Sequence, residues 1–193
     1  MKIVTVPHPA LRLKAKKVKR ADQKLIKLVK NMKNILRDSR NPRGVALAAP
    51  QVNKQWRILS TYLPQPGKKD SPPVIKTYVN PVIVNHCQRK KVLGPDPKKP
   101  VMEGCLSIPK LYGPVPRFRW VRIEYQELID GELIENKKRF DGFYGRAMQH
   151  EMDHLDGILF TDYSLEYDLP VYQEDPVTKK FVEIENREIL ELF

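Results

Sequence analysis

Cysteine is nearly absent from this sequence. Cys87 and Cys105 are the only two in 193 residues, too few for a disulfide framework, which points to a reducing compartment where a thiolate is free to act as a ligand. No run of eighteen or so uninterrupted apolar residues occurs anywhere, and that excludes a membrane-spanning helix. The apolar stretch Ile3 to Val6 meets Pro7 and His8 at once and is too short for a signal-peptide core, so the mature chain is expected to begin where the sequence does, in the cytoplasm. Aromatic residues are missing altogether between Met1 and Gly44, which removes any platform there for stacking nucleic-acid bases. Acidic residues are scarce in the same stretch: Met1 to Arg43 holds 14 Lys+Arg against Asp22 and Asp38, a difference equal to the whole net charge of +12. Such a segment is either a solvated helix face or an electrostatic contact surface for ribosomal RNA or another polyanion.

What is present fits one domain with a peripheral extension. Between Ala21 and Arg40 the residues Leu25, Ile26, Leu28, Val29, Met32, Ile35 and Leu36 recur at helical spacing with lysines opposite, which predicts an amphipathic helix on a core. Strand-like runs follow at Arg57 to Leu63 and Val74 to Asn85. From Trp120 onward Val121, Ile123 and Tyr125 alternate with polar residues, and Asp130-Gly131 predicts a tight turn into a second strand ending near Phe140. A helix is expected from about Phe143 to Leu155, capped by Asp141 and ended by Gly157. Helix, strands and helix in that order imply an α+β fold, with mixed or antiparallel sheets packed around a central helix, an N-terminal amphipathic helix and a C-terminal extension. The stretch Thr161 to Phe193 carries 9 Asp+Glu against 3 Lys+Arg, opposite in charge to the N-terminal segment.

The strongest chemical signal lies on that predicted helix. In His150-Glu151-Met152-Asp153-His154 two imidazoles four residues apart fall on one helix face and can grip one metal ion, while Glu151 is placed to move a proton to and from a water activated by the metal. A catalytic metal needs a third protein ligand. The extended zincin pattern requires histidine six residues after His154, where Phe160 stands. Glu166 and Glu174 have workable spacing, but Pro170 and Pro176 interrupt the helix that would present them. Cys105, in Glu103-Gly104-Cys105-Leu106-Ser107, is the better candidate: its thiolate suits iron or zinc, and Gly104 permits close backbone approach.

Three segments, Gly44-Val45-Ala46-Leu47-Ala48-Ala49-Pro50-Gln51, Glu103 to Ser107 and Gln149 to Gly157, resemble the three signature motifs of the peptide deformylase family, in the family's order and at similar spacing. Pro7 to Arg12 resembles its opening. The resemblance covers about residue 3 to Tyr163 and implies a metallohydrolase domain over residues 1–163 followed by an acidic extension at 164–193. It implies that Cys105, His150 and His154 hold one divalent ion, Fe2+ in preference to Zn2+, Ni2+ or Co2+; that Gln51 and the Leu106 amide face the oxyanion; and that Glu151 is general base, then acid. Gly44, Val45, Ala46, Gly104, Phe143 and Ala147 are expected to line the substrate site. The implied substrates are N-formylmethionyl nascent peptides, and a monomer is expected; the acidic C-terminal stretch is a poor match for the basic ribosome-docking helix of some family members, which leaves the basic N-terminal segment as the candidate for a ribosome contact.

Two positions depart from the pattern. Ala46 stands where the family usually has a second glycine, and its methyl is expected to crowd the peptide path. Gly145, inside the predicted helix, should cost about 1 kcal/mol relative to alanine. His8, His86, Cys87 and Arg117 are read as structural, and Asp153 and Asp156 as surface caps or ion pairs. Two other classes share the residues so far: a metallopeptidase cleaving internal bonds, which would tolerate Cys105→Ser, and a non-catalytic RNA-binding module, which would survive Glu151→Ala.

Overall fold

The structure, a computed structural model, describes residues 1–39, 44–64, 71–91, 101–185, 188–191 and 193. Arg40 and Arg43, the last cations of the basic segment, lie outside the described residues. A 3-10 turn at Pro9–Arg12 leads to α1 (Gln23–Asp38), then β1 (Ala46–Ala48), a second 3-10 turn (Ala49–Val52), β2 (Ile58–Leu63) and β3 (Val74–His86). Next come β4 (Lys90–Lys91), β5 (Met102–Cys105), β6 (Ile108–Pro114), β7 (Arg117–Phe118), β8 (Trp120–Ile129) and β9 (Glu132–Asp141). The chain closes with α2 (Gly142–Asp156), α3 (Phe160–Glu166), β10 (Tyr172–Glu174), β11 (Phe181–Glu183) and α4 (Glu188–Glu191).

The strands form two antiparallel sheets, β1-β2-β3-β8-β9 and β11-β10-β6-β5, plus a small β4-β7 pair. The alternation from Trp120 onward becomes the β8–β9 hairpin, turned by Asp130 and Gly131, both with positive φ, as a tight two-residue turn requires. Its inward set, Val121, Ile123, Tyr125 and Phe140, packs with Leu59 and Tyr78 against Met148, Met152 and Leu155 of α2. The helix is therefore central. On the other side Leu25, Leu28, Val29, Met32 and Leu36 of α1 bury against Leu47, Ile58 and Val79, the stripe that the helical spacing of apolar residues predicts. A third cluster joins Leu11, Ile108, Leu111 and Val115 to Phe160, Val171 and Leu190, and β10 pairs with β6 through Tyr172↔Tyr112 and Gln173↔Leu111. The acidic C-terminal segment thus widens the sheet that carries Cys105.

Boundaries shift by a residue or two from expectation, and one cap differs. Asp141 occupies the N-cap position of α2, but its side chain makes no capping hydrogen bond; its carboxylate lies 3.9 Å from Arg139 Nε instead. Gly157 closes α2 with φ +76, and a Cβ there would come within 2.6 Å of the Arg12 carbonyl oxygen. Gly145 is explained by packing: a Cβ would sit 2.8 Å from the Phe140 carbonyl oxygen. The helix gives up propensity so that its first turn can press against the end of β9.

Candidate active site

Three elements bring the site together. Cys105 ends β5, at the edge of the smaller sheet, where the β5–β6 register slips between Gly104 and Cys105; a bulge of this kind re-aims a side chain. His150 and His154 face it from α2. The Cys105 sulfur and one nitrogen of each ring all lie within 4.8 Å of one another, and Cys105 Sγ is 3.1 Å from His154 Nε2. Gln51, from the 3-10 turn that follows β1, is anchored by the Ala48 N–H, which donates to its Oε1 at 2.7 Å. This leaves its Nε2 to donate to Ser107 Oγ at 3.3 Å and, at 3.5 Å, to the Cys105 sulfur. The Ser107 amide donates to the same sulfur at 3.4 Å.

The donor set fits a divalent ion that accepts one thiolate and two imidazoles. Burial pushes His154 well below the ordinary histidine range, keeping it neutral as ligation requires. His150 differs. Burial would lower it too, but hydrogen bonds to Cys105 and Glu103 outweigh that and hold it well above its ordinary value. Its Nδ1 bonds Glu103 Oε2 at 2.9 Å, which orients the ring with Nε2 toward the sulfur, a carboxylate brace of the kind that supports metal-bound histidines.

Glu151 is buried beside them. Burial pushes its carboxyl up to about 7, with His150 pulling it down and Glu103 pushing it up, and its Oε2 has no hydrogen-bond partner among the described residues. A buried carboxylate oxygen without a partner is costly unless something else occupies it. A water at the metal would.

A cavity of about 220 Å³ opens onto these groups. Gly44, Val45, Ala46, Gly104, Leu106, Phe143 and Ala147 all line it, together with Gln51, Cys105, His150 and Glu151. Ala46 is buried in strand β1 opposite Thr61, so its methyl forms part of the wall. Gly104 has a steric reason: a Cβ there would strike the Tyr112 ring at 2.6 Å.

Several residues that hold the site together were assigned no role from sequence. Glu103 is 7% exposed and receives Arg117 Nε at 2.9 Å, Arg117 Nη2 at 2.8 Å and Arg146 Nη1 at 2.8 Å as well as the His150 ring. Burial would raise its carboxyl, yet Arg117 and His150 more than reverse that and hold it well below the carboxylate range. Asp153, expected on the surface, is largely buried and pairs with Arg117 in the interior; Asp156 does pair outside, with Arg57 at 2.7 Å. Gln149 clasps the backbone of Phe118 through both amide atoms at 2.9 Å, tying β7 to the helix one residue before the first ligand. Two spacings could have flagged Glu103 and Arg146: Glu103 shares a strand face with Cys105, and Arg146 precedes His150 by one helical turn. His8 accepts from the Ala10 N–H at 3.1 Å and His86 stacks on Phe118 at 3.8 Å, both away from the cavity lining.

A family model described as polypeptide deformylase matches residues 1–168. The chain belongs to the peptide deformylase family. Among its relatives, the peptide deformylase of Mesorhizobium japonicum is 34% identical over 179 residues, spanning 93% of this chain and 89% of that protein. That of Thermomicrobium roseum is 36% identical over 161 residues, 83% of each. Solved deformylase structures share the fold: that of Ehrlichia chaffeensis has a TM-score of 0.70 at 30% identity, with 87% of this chain and 89% of that chain covered. A probable peptide deformylase from synechococcus phage S-SSM7 has a TM-score of 0.68 at 31% identity, covering 84% and 98%. Membership agrees with the resemblance carried by the three motifs, and the α+β fold with antiparallel sheets is the one that these deformylases adopt.

Proposed function

We infer that this member of the family hydrolyses the N-formyl group of N-formylmethionyl nascent peptides, releasing formate and a free methionine amine. The observation that carries the reading is the meeting of one thiol and two imidazoles within 4.8 Å, Cys105 and His150 on the wall of a cavity, beside a buried carboxylate oxygen with no partner among the described residues. Cys105, His150 and His154 hold one divalent ion, Fe2+ in preference to Zn2+, Ni2+ or Co2+; when bound it supplies an activated water and polarises the formyl carbonyl.

The chain's own residues do the rest. Glu151 takes the proton that the attacking water loses and returns it to the methionine nitrogen as the C–N bond breaks, so that formate and a free amine leave. Gln51 Nε2 and the Leu106 amide receive the oxygen on which negative charge develops. Gly44, Val45, Ala46 and Gly104 flank the extended peptide, while Phe143 and Ala147 receive the methionine side chain. Residues 1–163 form the metallohydrolase unit and 164–193 an acidic extension, whose strand β10 pairs with β6 of the smaller sheet. No described helix is long and apolar enough to cross a membrane; we place the monomeric enzyme in the cytoplasm, with its basic N-terminal segment toward ribosomal RNA.

The test is formate release from formyl-Met peptides by anaerobically purified, iron-loaded protein. Glu151→Ala should lower kcat by about 100-fold or more while keeping bound metal. Cys105→Ser should lose the metal itself, measured as metal per protein after dialysis. An unchanged rate in either variant defeats the assignment, and internal cleavage of unformylated peptides would favour a peptidase.

A further inference from the structure

The helix that carries both histidines divides its residues between two faces. Phe143, Arg146, Ala147 and His150 share one face and line the catalytic cavity. Tyr144, Met148, Met152 and Leu155 share another and pack with Leu59, Tyr78, Val121 and Phe140 of the larger sheet, at the three- and four-residue spacing that one helix face requires. Of these four only Tyr144 ends in a hydroxyl. That oxygen lies 2.9 Å from Thr61 Oγ1 and 2.7 Å from the Tyr78 hydroxyl, both residues being buried, and the Tyr144 ring stacks on Phe140 at 5.3 Å.

These bonds fall where α2 has no cap to hold it. The helix starts at Gly142, with φ +55, and the Asp141 side chain makes no capping hydrogen bond. Its far end is tied to the residue before β2, where Arg57 Nη1 donates to Asp156 Oδ1 at 2.7 Å. Met148, Met152 and Leu155 in between make apolar contacts, which have no direction. A hydrogen bond fixes both distance and angle, so the Tyr144 hydroxyl decides where the first turn of α2 stands against β2. Thr61 of β2 is the cross-strand partner of Ala46. Ala46 lines the cavity from β1, and Phe143, the neighbour of Tyr144, lines it from α2. Two walls of the cavity are thus joined behind its surface through Thr61 and Tyr144.

We propose that Tyr144 is a positioning residue for substrate specificity: its bonds to Thr61 and Tyr78 set the gap between β1 and the first turn of α2, and with it the width of the pocket that receives the methionine side chain. The proposal rests on the deformylase reading and deepens it, since selection of the first residue then depends on a group that does not line the cavity. Tyr78 also reaches Thr61, so removal of the Tyr144 hydroxyl leaves the two buried hydroxyls a partner in each other and the fold intact, while the helix start loses its directed tie.

The experiment measures kcat and KM on formyl-Met-Ala-Ala and formyl-Ala-Ala-Ala for the wild type, Tyr144→Phe, Thr61→Val and the double variant. Each single variant should raise KM for the methionine peptide by roughly fivefold, the loss of about one hydrogen bond, with kcat and metal per protein unchanged. The alanine peptide, whose methyl does not reach across the pocket, should keep its kcat/KM, so the preference for methionine over alanine falls by the same factor. The double variant should be no worse than the weaker single one, because both remove the same bond. Far-UV circular dichroism melts check folding, and Thr61→Val carries the test alone should Tyr144→Phe not fold. An unchanged preference in a folded variant, an equal loss on both peptides, which marks general damage to the site, or additive losses in the double variant would each overturn the role of Tyr144 and leave the deformylase reading standing. Failure of the wild type to deformylate either peptide would remove both.

Discussion

At the scale of single residues the site depends on Glu103 as much as on the ligands. It is the hub that orients the His150 ring and neutralises Arg117 and Arg146. Replacing it by glutamine leaves buried guanidinium charge without its counter-ion, which should cost about 3 kcal/mol or more in urea melts at pH 7. The pH dependence has a definite sign. Because the folded carboxyl is held below its ordinary 4.5, its stabilisation is complete above the pKa of the unfolded chain and is lost as pH falls through the folded value. The gap between wild type and Glu103→Gln should therefore narrow below about pH 4.5; a constant gap down to pH 3 would show that the charge is not the cause. The three ligands were legible in the sequence because a helix puts residues four apart on one face and because a thiol among deformylase-like motifs has few other uses. Glu103 could be flagged by its spacing to Cys105, but not its role, since its partners Arg117, Arg146 and His150 meet it only where β5, β7 and α2 come together.

At the scale of elements, periodicity carried most of the fold. The apolar stripe of α1 and the alternation of β8 point inward as their spacing requires, because burying one face is the only way such patterns lower the free energy. What periodicity could not reveal is partner choice. Nothing in Val171 to Glu183 says that β10 will pair with β6 and that the Phe181 ring will pack edge-on to Tyr112 at 5.0 Å. Tyr112 lines the catalytic cavity and covers Gly104, so the extension reaches the substrate wall through one ring. Deleting residues 169–193 removes buried Val171 and Leu190 and should lower stability by about 3 kcal/mol or more. It should also raise KM for formyl-Met peptides more than it lowers kcat, with metal content unchanged; an unaltered KM in a folded truncation would separate the extension from the site.

At the scale of the whole molecule, charge is divided. The exposed stripe of α1 carries Lys24, Lys27, Lys30 and Arg37, while the acidic extension joins the opposite sheet. If the basic segment meets ribosomal RNA, binding of the protein to ribosomes should weaken steeply with salt, because each phosphate contact releases counterions. Charge reversal at Lys27, Lys30 and Arg37 should abolish sedimentation with ribosomes and leave hydrolysis of free peptides intact; salt-independent binding, or none, would refute it. The sequence by itself determined the two histidines on one helix face, the inward faces of α1 and β8, the hairpin turn and the family, since each rests on local period or on short motifs whose chemistry is carried by residue type. Only the tertiary structure decided that Glu103 braces the His150 ring, that Asp153 lies inside rather than outside, that Gly145 is required by the end of β9, and that the Phe181 ring of the C-terminal segment packs on Tyr112 of the cavity wall. Those are contacts between residues far apart in the chain, and no local pattern records which surfaces the folded backbone will bring within reach of a hydrogen bond.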